Sequence, residues 1–260
     1  MKIVITSDIH LDLDNYISQQ KLEQFSQTVQ AEKPDVFIIA GDVVGLGKNC
    51  LPKLLKLLKV PHAYNLVVPG NHDLWVAEGS SLKMWREKLP KLYAEAGFHM
   101  LDKSPLIIDQ IGFVGNVGWY DYSFTHPNFP ATEKRSYTRK QWHKVTSWND
   151  RIFVRLDMSD AEFNDLLLQE LSKQIEQIQN QCQTIVAVTH HIGFEEMLVP
   201  RLKDDKLNFC NAFMGSQKLG KLLQEDSKIA YHICGHTHYP QQIKLNGLTK
   251  NAIFELIAIN

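Results

Sequence analysis

The sequence is short of the features that would tie the chain to a membrane, a polyanion or an oxidising compartment. Its four cysteines, Cys50, Cys182, Cys210 and Cys234, are scattered and form no C-x-x-C pair. That excludes a disulfide framework and points to a reducing cytoplasm. No apolar run approaches the ~20 residues a spanning helix needs, so no membrane insertion is expected. Basic and acidic residues nearly cancel, 28 against 29, for a formal net charge of -1. The chain therefore has no overall positive field to draw it to nucleic acid or lipid. Internal repeats, low-complexity tracts and linkers are absent, and the N-terminus enters a strand-like run with no cleavable signal pattern. The 260 residues suffice for one large core, and 1–260 is expected to form a single domain.

What the sequence does contain is one design used five times. Lys2–Thr6 runs apolar and is followed by Asp8 and His10. Val36–Ala40 is followed by Gly41-Asp42, and Asn65–Val68 by Gly70-Asn71-His72-Asp73. Thr184–Val188 leads to His190-His191, and Ile229–Cys234 to Gly235-His236-Thr237-His238. Each run reads as a buried strand that presents Asp, Asn or His at its end.

Helices are expected at Tyr16–Ala31, Leu51–Val60, Ser80–Ala96 with a break near Pro90, Asp160–Gln181 capped by Ser159, and Ser216–Gln224. Leu106–Ile108 and Gly112–Val114 read as a hairpin turning at Asp109–Ile111, with Gln241–Leu245 and Ala252–Ile259 as closing strands. Lys53, Lys56 and Lys59 read as a solvated helix face. Strands alternating with helices indicate an α/β layered fold, whose sites gather at strand carboxyl ends. Between Trp119 and Arg155 aromatics are interleaved with polar residues without a clean period, apart from a partly helical reading of Glu133–Trp148. We expect an aromatic-rich insertion at about 119–155 over the active face, with peripheral core filling as the alternative.

In Asp8-x-His10 and His236-x-His238 the side chains are two apart, so an extended backbone points both members of each pair the same way. Imidazole mixed with carboxylate suits zinc, iron or manganese, whereas calcium and magnesium prefer oxygen shells. The set is too large for one tetrahedral ion. Two divalent ions bridged by one carboxylate use it better, and Asp42, the lone acid at a middle strand's end, is the natural bridge. Such a pair leaves the cleft positive, attracts phosphate and acidifies bound water.

These blocks, Asp8-x-His10, Gly41-Asp42, Gly70-Asn71-His72-Asp73, His190 and Gly235-His236-Thr237-His238, resemble in order those of the calcineurin-like metallophosphoesterases. The resemblance spans residues 8 to 238. It implies a four-layer α/β/β/α sandwich with two mixed β-sheets and a dinuclear metal site. It implies that Asp8, His10, Asp42 and His238 hold one ion and that Asp42, Asn71, His190 and His236 hold the other. It makes His72 the catalytic group that protonates the leaving oxygen or steadies the phosphate, while a hydroxide between the ions attacks phosphorus. His190 aligns with the strand end better than His191, which is left with Asp73 as a substrate-side or supporting candidate.

One branch is disfavoured. Protein Ser/Thr phosphatases carry a further Asp and then an Arg after the bridging Asp, where this chain has Gly45 and Leu46. The partner of His72 therefore stays open between Asp73 and a backbone carbonyl. The expected activity is hydrolysis of a small phosphomonoester or phosphodiester, a nucleotide among the candidates. The alternatives are a nuclease of the same family, which the neutral charge does not favour, and a non-catalytic scaffold, which the unbroken ligand blocks oppose.

Overall fold

The computed structural model describes residues 1–11, 19–125, 137–142, 146–198, 205–244 and 253–256. Its first sheet is parallel throughout, in the order β1 (Ile3–Thr6), β2 (Val36–Ala40), β3 (Tyr64–Val68) and β4 (His99–Met100). Every residue of β2 is buried, as a strand covered on both faces requires. The second sheet is mixed. It is built from β5 (Leu106–Ile108) and β6 (Ile111–Asn116), then β9 (Thr184–Thr189), β10 (Ile229–Cys234), β11 (Gln241–Lys244) and β12 (Ile253–Leu256), in the order β11-β12-β10-β9-β6-β5. Between β6 and β9 lies a two-stranded ribbon of β7 (Gln141–Trp142) and β8 (Thr146–Ser147), where the sequence reading placed a partial helix.

Side-chain alternation builds the layers. Ile38, Ala40, Leu66 and Val68 of the first sheet share an apolar cluster with Phe113, Val186, Val188 and Ile233 of the second. The opposite parity, Phe37, Ile39 and Val67, meets Leu51, Leu55 and Leu58 of α2 (Leu51–Leu58), which follows α1 (Gln19–Ala31). On the far side, Val114, Ile185 and Ala187 pack with helical residues such as Leu171, Ile175 and Leu219. The two sheets thus lie face to face with helices outside, the expected sandwich, except that the first sheet is parallel where a mixed one was expected. Each such aliphatic side chain removed from water contributes about 1.5–3 kcal/mol.

The helix expected at Ser80–Ala96 starts as Ser81–Lys83, widens into a π turn at Met84–Lys88 and resumes as α3 (Leu89–Ala96). Pro90 has no N–H for a bond four residues back, and the wider turn lets Leu89 reach the Met84 carbonyl instead. A short α4 (Asp150–Phe153) precedes α5 (Asp160–Ile178), where Ser159 and Glu162 form a capping box. α6 (Asp205–Asn211) and α7 (Gln217–Glu225) follow, with Ser216 capping the latter. The β5–β6 turn is only Asp109-Gln110, both at positive φ (45° and 68°), so Ile111 belongs to the strand and not to the turn. Lys53, Lys56 and Lys59 are exposed, as a solvated face should be. His126, Phe129, His143 and the start of the Tyr16–Ala31 reading lie outside the described residues.

Candidate metal centre

The loops that leave β1, β2, β3, β9 and β10 at their carboxyl ends meet between the two sheets. Asp8 N–H bonds the Gly41 carbonyl and His10 N–H that of Asp42, both at 3.0 Å, so the first two loops run on together. The second sheet is tied in where His236 N–H donates to both Asp8 oxygens at 3.1 and 3.0 Å. Asp8, His10, Asp42, His236 and His238 all sit at positive φ, between 46° and 73°. Such backbone is costly for residues with a Cβ and gathers where function over-determines it. Gly70 has a steric reason: a Cβ there would lie 2.5 Å from the Asp42 backbone nitrogen and against its carboxylate.

Three groups of side chains converge within metal-binding reach: Asp8, His10 and His238; His10, Asp42 and His72; and Asp42, His190 and His236. His190 Nε2 lies 3.2 Å from Asp42 Oδ2 and 3.1 Å from His236 Nδ1. His238 Nε2 lies 3.2 Å from Asp8 Oδ1 and 3.1 Å from His10 Nε2. His10 and His72 approach Asp42 Oδ2 at 3.7 and 3.9 Å.

Carbonyl partners fix two of the rings. His190 Nδ1 lies 2.9 Å from the Ala40 carbonyl and His236 Nε2 3.1 Å from that of Phe213, so each of these nitrogens carries the hydrogen. In the neutral rings, His190 Nε2 and His236 Nδ1 then face each other and Asp42 Oδ2 with bare lone pairs. Asn71, on the loop after β3, carries a further oxygen without a donor. Its Nδ2 donates to Asp150 at 2.9 Å, while its Oδ1 is buried with no hydrogen-bond partner among the described residues. Electron pairs packed this closely call for a cation, so the residues fit a metal. Burial works to lower the His190 pKa, but Asp42 outweighs it and raises the ring to about 9. Burial, then the neighbouring His191 and His190, keep His236 well below the usual histidine range.

Asp73 is buried and accepts from Gly70 N–H at 2.8 Å, Val44 N–H at 2.9 Å and Val43 N–H at 3.2 Å. It clamps the loops carrying Asp42 and Asn71 together. It is not the partner of His72, whose ring stacks on Trp75 with centroids 3.6 Å apart. His191 is fully buried against His236, with ring centroids 4.3 Å apart and Nδ1 3.2 Å from the Val117 carbonyl. Lys48 is turned onto the carbonyls of Gly45, Trp75 and His72, so it braces the loop and cradles no phosphate. Asp121 and Tyr122 are likewise engaged, by Ser216 and Asp160.

The stretch after Trp119 is both core and wall. Trp119, Tyr120, Phe124 and Tyr137 are buried, while Trp148 stacks on Phe213 and meets His236 edge-on. The residue that sequence reasoning missed is Asp150. It is fully buried and accepts from Asn71, Trp75, Tyr120 and Trp148. No spacing singles it out, since its partners come from three separate loops.

The chain belongs to the calcineurin-like phosphoesterases: the family model matches residues 1–240. Among curated proteins it is 23% identical to UPF0046 protein K07C11.7 of Caenorhabditis elegans over 255 residues, 96% of this chain and 67% of that protein. Among solved structures it is similar to the phosphopantetheinyl hydrolase of Mycobacterium tuberculosis, with a TM-score of 0.73, 17% identity and coverage of 99% and 89% of the two chains. A dimetal phosphatase from Danio rerio shares the fold at a TM-score of 0.51, 13% identity and coverage of 98% and 86%. At these identities the structural likeness speaks for the fold alone. No helix among the described residues is long and apolar enough to cross a membrane.

Proposed function

We propose that the protein hydrolyses a small phosphate ester, monoester or diester, in the cytoplasm. Asp8, His10, Asp42 and His238 hold one divalent cation, and Asp42, Asn71, His190 and His236 hold the other. The observation that carries this reading is the position of His190 Nε2, 3.2 Å from Asp42 Oδ2 and 3.1 Å from His236 Nδ1, with the buried Asn71 oxygen left without a hydrogen-bond partner among the described residues. Imidazole mixed with carboxylate favours manganese, iron or zinc. When bound, the cations supply Lewis acidity toward the phosphoryl oxygens and acidify water at neutral pH.

The chain's own groups do the rest. The Ala40 and Phe213 carbonyls hold His190 and His236 in the tautomers that present lone pairs inward. His72 N–H, a backbone donor, fixes Asp42 through Oδ1 at 2.9 Å, leaving Oδ2 for the centre. The His72 ring is part-exposed at the mouth, stacked on Trp75, and donates a proton to the leaving oxygen or a hydrogen bond to the phosphate. Relatives of similar fold include a phosphopantetheinyl hydrolase and a dimetal phosphatase, which agrees with a small phosphoester substrate.

Purified protein supplied with manganese is expected to hydrolyse p-nitrophenyl phosphate or its bis-ester, and a chelator to stop it. His72→Ala is expected to lower kcat by about 10²–10⁴-fold while retaining both cations. No turnover with manganese, iron or zinc would overturn the reading, and an unchanged kcat in His72→Ala would remove that residue from the chemistry.

A further inference from the structure

Asp150 has an arrangement the catalytic reading does not use. Its Oδ1 accepts from Asn71 Nδ2 at 2.9 Å and from Trp75 Nε1 at 2.7 Å. Its Oδ2 accepts from Tyr120 Oη at 3.0 Å and from Trp148 Nε1 at 2.8 Å. Four donors on one fully buried carboxylate, from three parts of the chain, make a rigid hub. Two of those donors reach the centre directly. Asn71 is the proposed ligand whose oxygen is left bare, and Trp75 is the surface on which His72 stacks.

An amide has a donor end and an acceptor end, and a carboxylate distinguishes them chemically. A carboxylate accepts and cannot donate, so Asp150 selects the Asn71 orientation with N–H₂ toward itself and the oxygen on the other side, free of any hydrogen bond among the described residues. We propose that Asp150 is a positioning residue: it orients the Asn71 amide for one of the two cations and, through Trp75, sets the plane of His72. The proposal rests on the two-cation reading above. It also gives the residues around 148–150 a role, as a backstop delivered behind the β3 loop.

The prediction is one-sided. Asp150 touches Asn71 and none of Asp8, His10 or His238, so its loss weakens the cation held by Asn71, His190 and His236 and spares the other. Partners that orient metal ligands change affinity by about 10–100-fold when removed. The test loads the full-length chain with manganese alone and follows stoichiometry by metal analysis and electron paramagnetic resonance. Wild type should bind two ions and give the spectrum of a coupled pair. Asp150→Ala should lose the weaker ion at concentrations that saturate wild type and give the six-line spectrum of an isolated ion. Should that variant fail to fold, Asp150→Asn, which keeps the volume but disrupts two of the four acceptor bonds, carries the same expectation with a smaller loss. Tyr120→Phe removes one bond to the same carboxylate without touching Asn71 and should keep the coupled pair. A folded Asp150 variant with two ions at wild-type affinity overturns the proposal and leaves the two-cation reading standing. Equal loss of both ions in Asp150→Asn and Tyr120→Phe makes Asp150 a general support of the fold and also overturns it. A wild type that binds no ion pair removes the two-cation reading itself.

Discussion

Asp102 shows what a single buried carboxyl does to the pH dependence of the fold. Trp85 Nε1 donates to its Oδ1 at 2.6 Å, whereas Oδ2 is sealed from solvent with no hydrogen-bond partner among the described residues. Burial raises its pKa to about 7, against the opposing Trp85 bond, from the ordinary carboxyl value of 3.8. The raised value means the folded state holds this proton after the unfolded chain has released it. The contribution of this group is therefore full below about pH 4 and falls as pH rises toward 7, by up to about 1.4 kcal/mol per pH unit. Asp102→Asn, with no proton to lose, is expected to flatten that slope in urea melts between pH 4 and 8, and a slope identical to wild type would contradict the assignment. At this scale the sequence was legible where chemistry repeats. The Asp and His ligand candidates stand at fixed offsets after apolar runs and converge as expected. Asp102 and Asp150 are single residues whose meaning comes from partners far away in the chain, so no local pattern announces them.

At the scale of elements, β6 illustrates how a side chain can replace a strand. β5 pairs only with Ile111–Phe113, so the rest of β6 has no strand on that edge. Gln174 of α5 fills the gap: its Oε1 accepts from Gly115 N–H at 2.9 Å, and its Nε2 donates to the carbonyls of Gly115 at 3.2 Å and Leu101 at 3.0 Å. Gly115 is required because a Cβ there would run into the Val188 carbonyl of β9. Gln174→Met keeps the volume but orphans these buried groups, and should cost about 1–3 kcal/mol in denaturant unfolding. A cost near zero would show that water or a shifted backbone satisfies them. Most elements were readable beforehand because burial on both faces writes continuous apolar strands and the capping box writes its helix start. The β7–β8 ribbon was not, since two-residue strands carry no period; the β5–β6 hairpin was read, with its turn one residue too long, because Asp109-Gln110 lacks the glycine that usually marks one.

At the scale of the whole molecule, two sheets lie face to face so that five loops share one point. The first sheet contributes Asp8, His10, Asp42 and Asn71, the second His190, His236 and His238, and neither is complete alone. The order of the motifs gave away this convergence; the positive backbone angles that make it possible did not show in the residue types, because Asp and His rarely adopt them unaided. Loss of Asp42 should consequently remove both cations at once, unlike loss of Asp150. The most direct measurement is a titration of metal-free protein with manganese while cleavage of bis-p-nitrophenyl phosphate or the monoester is followed. The account predicts that activity climbs to a plateau at two ions per chain and vanishes in Asp42→Ala. A plateau at one ion, or no cleavage with two ions bound, would contradict it.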